Sequence, residues 1–414
     1  MFKLKTVPLL TGALLLTACG SSATDRATET TTSSATDSAP SSATTGATEV
    51  SGAEPRLALT YDGGILVLDA ESGEVLDDAP LEGFTRLSPA GDDRHLFVSA
   101  TGGFTALDLG TWTEAHGDHG HSWTAEPTLT DLTIAAEAPG HVVPHDGTTA
   151  LFDDATGTIT LLDPAELAEG TPETETTTTE EAHHGVAFRD ERGNLVTTVG
   201  NEDSRDGIAV LTAAGNELAR TDDCPGVHGE AFGGERAVFG CEDGVLVLDG
   251  TEITKVDAPD DYGRIGNQAG HAASPFVLGD YKVDADAELE RPTRVSVIDT
   301  RDASLRLVDL PASYSFRSLG RTPDGDGLVL GTDGRLRVID VADASVRDAV
   351  AVTEEWREPM DWQEPRPTLL VLGDTAYVTE PATDQLHVVD LADLSVTDTH
   401  DLPHTPNELN GVTG

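Results

Sequence analysis

Short apolar runs that end on aspartate recur along the chain from about residue 55 onward. ILVLD at 65–69, FTALD at 104–108, ITLLD at 159–163, VLVLD at 245–249, VSVID at 295–299, LRVID at 336–340 and LHVVD at 386–390 share the pattern, and IAVLT at 208–212 takes the same place once more. Most follow a second strand and a turn, as in RHLFVSATGGFTALD (94–108), RAVFGCEDGVLVLD (236–249) and TAYVTEPATDQLHVVD (375–390). Eight units of four short strands, at spacings of roughly 35 to 55 residues, predict an all-β fold, a β-propeller. Alternation is expected to bury one set of side chains of each strand between blades. The first unit, RLALTYDGGILVLDAESGEVL at 56–76, lacks an inner strand, while PHTPNELNGVTG at 403–414 resembles an inner strand with nothing after it. If the N- and C-terminal strands share one blade, the ring closes with eight blades; seven is the alternative count. Helix is expected at most as a turn near DPAELAEG at 163–170.

The start of the chain has a different grammar. MFKLKTVPLLTGALLLTACG carries two lysines, a short apolar stretch and then Leu16, Thr17, Ala18 and Cys19. This predicts a lipoprotein signal peptide over 1–19, with Cys19 as the lipidated residue of a lipobox. Residues 20–54 are dominated by Ser, Thr, Ala, Asp and Glu and are expected to be a disordered linker, which leaves 55–414 for the propeller. Outside the cytoplasm the two remaining cysteines, Cys224 and Cys241, are expected to form a disulfide, since the Gly-Gly pair between them can turn the chain back as a hairpin.

Composition narrows the functions. Over 414 residues, 25 Lys and Arg stand against 74 Asp and Glu, a net charge of −49 that repels phosphate backbones and excludes nucleic acid as a partner. No G-x-S-x-G, H-E-x-x-H or G-x-x-x-x-G-K-S/T pattern is present, so serine-triad, zincin and P-loop chemistry have no anchor.

The 13 histidines are placed unevenly. In EAHGDHGHSW, His116, Asp118, His119 and His121 offer imidazole and carboxylate ligands at a spacing a loop can wrap around one Zn²⁺. In HVVPHDGTTALF, HHGVAF, VHGEAF and NQAGHAASPFVLGDY, the residues His145, His184, His228 and His271 stand just before strands that lead into a blade. Innermost strands of a propeller line one axial channel, so equivalent positions on successive blades converge. Zinc suits these ligands. Copper(I) lacks its soft sulfur donors, with only two Met in the chain, and VDADAELE at 283–290 lacks the glycine of a calcium loop, so Asp284 and Asp286 are taken as solvated charge.

Several motifs together resemble the AztD-type zinc metallochaperones, exported β-propellers associated with a zinc ABC importer and its solute-binding protein AztC. They are HGDHGH at 116–121, HDGTTALFDD at 145–154, HHGVAF at 183–188, CPGVHGEA at 224–231, LGDY at 278–281 and EPRP at 364–367. The resemblance implies an extracytoplasmic carrier, not an enzyme, that hands Zn²⁺ to the importer's solute-binding protein. It carries over His116, Asp118, His119, His145, His184 and His228 as ligands, in one site or in two; His121 and His271 are added from their placement alone. The lipobox implies tethering at the outer face of the membrane, and the protein is expected to be a monomer. Two other readings compete: a hydrolase whose axial metal activates water beside a carboxylate such as Asp146 or Glu230, and an interaction platform indifferent to zinc.

Overall fold

The computed structural model describes residues 46–414. The signal peptide, Cys19 and the linker up to residue 45 lie outside the described residues. Each of the eight runs singled out above forms the third strand of a four-stranded antiparallel sheet. Gly63–Asp69 and Gly244–Asp249 are examples. Aspartate ends the run because its carboxylate caps the next turn: Asp69 accepts the Ser72 amide, Asp340 that of Asp343, and Asp390 those of Ala392 and Asp393.

The runs are apolar on both faces, and this departs from the expectation that only one set of side chains is buried. Ile65 and Val67 pack with Leu96, Val98 and Leu107 of the following sheet, whereas Leu68 packs with Leu386 and Val388 of the preceding one. Every four-stranded sheet is covered on both sides, so both parities of its central strands leave water. Among the described residues, eight apolar clusters join each sheet to the next and the last to the first. This is propeller architecture.

The ends of the fold meet as the sequence implies. Leu409–Val412 pairs antiparallel with Arg56–Tyr61, Arg56 opposite Val412 and Leu59 opposite Leu409, and so becomes the innermost strand of the first sheet. Near DPAELAEG the only helical segment among the described residues is the 3-10 turn Pro164–Glu169, capped by Asp163 through the Ala165 amide.

Two features bear on the site. A hairpin, Thr111–His116 with His119–Thr124, is inserted between the third and fourth strands of the second sheet. Its free edge is taken by Thr48–Val50, with Glu49 opposite Trp123, so part of the stretch expected as linker is a strand. The second feature is the Cys224–Cys241 disulfide, both residues fully buried within the apolar cluster between the fourth and fifth sheets.

The bond spans 17 residues. For a loop of that length, replacing both cysteines (Cys224→Ser, Cys241→Ser) is expected to cost about 3 kcal/mol. In urea this appears as a lower midpoint at little-changed slope; an unchanged midpoint would contradict it.

Candidate metal centres

Innermost strands carry the first centre. Pro139–His145 and His228–Gly233 are the inner strands of the third and fifth sheets, and His184 stands three residues before Ala187–Arg189, that of the fourth. Between His228 and Glu230 the register shifts by one residue, and the extra one is Gly229 at φ +69°. A Cβ there would lie 2.7 Å from the Gln268 Oε1, so glycine is what lets this bulge re-aim His228.

His141, His184 and His228 each present one ring nitrogen to a common point, all within 4.8 Å of one another. The Nε2 atoms of His141 and His184 are 3.3 Å apart, and those of His184 and His228 3.2 Å. Behind them, His184 Nδ1–H donates to Asp154 Oδ2 at 2.6 Å and His228 Nδ1–H to the Gly266 carbonyl at 2.6 Å. Those acceptors hold the protons on Nδ1 and leave the Nε2 lone pairs facing inward, the outer-shell arrangement that orients metal-binding imidazoles. Burial lowers the His141 pKa well below its ordinary value, helped by the neighbouring His228 and His184. Burial likewise brings His228 to about 3. At neutral pH both are therefore free bases, and a divalent cation does not compete with protons for them. Three imidazoles with an open side suit Zn²⁺.

Beneath this layer lies a second one. His145 stacks on Phe232 with ring centroids 3.9 Å apart and meets the edge of Phe188 at 5.2 Å, while Phe188 meets Phe232 at 5.0 Å. His145 is thus part of a ring cluster and stands outside the imidazole triad; its Nε2 lies 3.2 Å from Asp146. His271 is likewise separate: its Nδ1 accepts the Ala273 amide and shapes the turn after Gln268–Ala269. His183, next to His184, is fixed by the Glu181 carbonyl and Thr198 hydroxyl, both at 3.0 Å.

The missed residue is His141, and the signal for it was present. His141-x-x-x-His145, His184-x-x-x-Phe188 and His228-x-x-x-Phe232 are one pattern. His145 answers to the two phenylalanines, so aligning it with His184 and His228 misplaced that strand by four residues.

The hairpin carries the other centre. His116 and His119 face each other across its two-residue turn, where Gly117 takes φ +64°, and His121 follows on the same strand. His116 Nδ1 lies 3.5 Å from His119 Nε2, which lies 3.2 Å from His121 Nε2. Outer partners are here carboxylates. His121 Nδ1–H donates to Glu49 at 2.7 Å, and His119 Nδ1 is 3.2 Å from Asp118, whose side chain points fully into solvent. His116 and His119 are exposed, so this centre is more open than the axial one.

Two expectations follow. Asp154→Asn weakens the partner of His184 and should cost about 10–100-fold in zinc affinity, measured by chelator competition; wild-type affinity would contradict the orienting role. Glu230, on the same strand as His228, is desolvated with only its own backbone amide as donor, which raises its carboxyl from 4.5 to about 8. Its stabilising contribution is complete below about 4.5 and is lost as pH rises through about 8. Relative to wild type, metal-free Glu230→Gln should therefore gain stability as pH rises across that window in urea melts. A difference independent of pH would contradict the burial of this carboxyl.

No family model matches the chain. The zinc chaperone AztD of Citrobacter koseri is 24% identical over 360 residues, which cover 84% of this chain and 83% of its own. The crystal structure of Citrobacter koseri AztD superposes with a TM-score of 0.77 at 24% identity, covering 88% of this chain and 99% of that one. The apo AztD structure from the same organism gives 0.74 at 23% identity, with coverage of 88% and 99%. Over most of its length, in sequence and in fold, the chain is AztD-like.

Proposed function

We propose that the protein is an extracytoplasmic zinc metallochaperone that delivers Zn²⁺ to the solute-binding protein of a zinc ABC importer. The observation that carries this reading is the convergence of His141, His184 and His228 Nε2 atoms on one point, with their outer nitrogens held for His184 and His228. The likeness to a zinc chaperone over 84% of the chain supports it. In this reading the propeller has eight blades, a count supported by the eight four-stranded sheets and the eight clusters between them. A lipid on Cys19 tethers it to the outer face of the membrane, as the lipobox motif suggests.

The two centres divide the work by exposure. Half-buried imidazoles already in place lose little conformational entropy on binding, so the axial triad is the holding site. The hairpin's exposed imidazoles can exchange one by one with ligands of another protein, which suits capture or hand-over. Such a carrier releases its cargo by ligand replacement and has no turnover.

The test is a Zn²⁺ titration against a competing fluorescent chelator. Wild type should bind two ions, one per triad. His184→Ala with His228→Ala should abolish the tighter event, and His116→Ala with His119→Ala the weaker one, while His145→Ala should leave both. Loaded wild type should then pass zinc to the apo solute-binding protein faster than zinc dissociates into chelator alone. A wild-type protein that fails to compete would overturn the carrier reading.

A further inference from the structure

The axial triad opens into a cavity of ≈ 420 Å³ whose charge is at odds with the rest of the chain. The protein carries −49, yet Arg86, Arg264, Lys282 and Arg366 line the same space as the three imidazoles. The carboxylates there are already engaged. Glu358 binds Arg366 at 3.1 Å with both groups buried. Asp280 accepts the amides of Gly266 and Asn267 at 2.6 and 3.1 Å and lies 3.7 Å from Lys282. Glu290 accepts those of Val283 and Asp284.

Two of the guanidinium groups lining this space are paired more loosely. Among the described residues Arg86 has one ion-pair partner, Glu408 at 3.9 Å, and that carboxylate is held more closely by Arg317. Arg264 has Glu242 at 3.5 Å. Arg205 lines the neighbouring opening with His184 and Asp154, the carboxylate that His184 already engages.

A zinc ion on three neutral imidazoles keeps its charge of +2 and an open coordination position. Placed among under-compensated guanidinium groups it is repelled, unless an anion shares the site. We propose that this cavity is a carboxylate-binding site, in which Arg86 and Arg264 hold an incoming carboxylate whose oxygen takes the fourth position on the zinc. The proposal rests on the zinc-carrier reading above and deepens it. Guanidinium forks match carboxylate geometry, and the cavity has room for a small acid or an acidic side chain. Zinc and carboxylate then bind cooperatively, each raising the affinity for the other by the same factor. For a carrier this supplies a route of release, because an acidic side chain of the receiving protein can join the metal before any imidazole leaves it.

The experiment measures zinc affinity of the whole protein by chelator competition at fixed pH and ionic strength, in sodium perchlorate and in sodium acetate. To isolate the axial centre it is done in the His116→Ala, His119→Ala background. Acetate should tighten zinc binding about fivefold or more, against its own weak complexation of the metal in solution. Arg86→Gln, and separately Arg264→Gln, should bind zinc more tightly in perchlorate, because a repulsive charge is gone, and should gain little from acetate. A blocked glutamate peptide and its glutamine twin distinguish the sources: tightening by acetate shows that a free acid suffices, tightening by the glutamate peptide alone that the carboxylate comes on a chain. Equal affinity in perchlorate, acetate and both peptides overturns the carboxylate site and leaves the carrier reading standing. No zinc binding in either salt overturns the carrier reading itself.

Discussion

Three imidazoles on three different sheets can meet at one point only if the strands that bear them are kept in phase. The layer of His145, Phe188 and Phe232, four residues further along each segment, packs the third, fourth and fifth sheets against one another at the same level. Stacked and edge-on ring contacts of this kind are short-ranged and directional, so they resist sliding of one strand along the next. The ligand layer above inherits that alignment. Further out, the alignment depends on both faces of every four-stranded sheet being covered and on Leu409–Val412 completing the first sheet, since an open ring would let the inner strands splay.

Burial gives the axial site a second property. Withdrawal from water disfavours the protonated form of an imidazole. His141 and His228 are held as free bases by this effect, and Glu230 on the same strand is held as a neutral acid. The carboxylate that does reach the triad, Asp154, acts through the outer nitrogen of His184, in a protein with a large excess of carboxylates. Modest electrostatic hold on a dication, combined with well-placed neutral ligands, is compatible with a cargo that has to leave again.

Much of this was legible in the sequence where a local rule applied. Each aspartate-ended run became a third strand because covering both faces demands continuous apolar residues and the following turn demands an acceptor. The closing strand was visible because the first unit had no inner strand and the last segment had nothing to pair with. His116, His119 and His121 were legible because two lie across a tight turn and the third is two residues on. What was hidden depended on partners distant in sequence. Thr48–Val50 is too short and polar to announce itself, and is a strand because the hairpin offers it an unpaired edge. Glu49, Asp154 and the Gly266 carbonyl orient ligands 72, 30 and 38 residues away. His141 was hidden by the neighbouring His145, since identity of residue type suggested an alignment that the spacing to Phe188 and Phe232 overrules.

The central claim is that His141, His184 and His228 together hold zinc. Zinc X-ray absorption of the His116→Ala, His119→Ala protein loaded with one equivalent isolates the axial centre and counts its imidazoles. Three imidazole nitrogens at about 2.0–2.1 Å, falling to two when His141→Ala is added, is the predicted result. An identical spectrum with and without His141 would contradict the account.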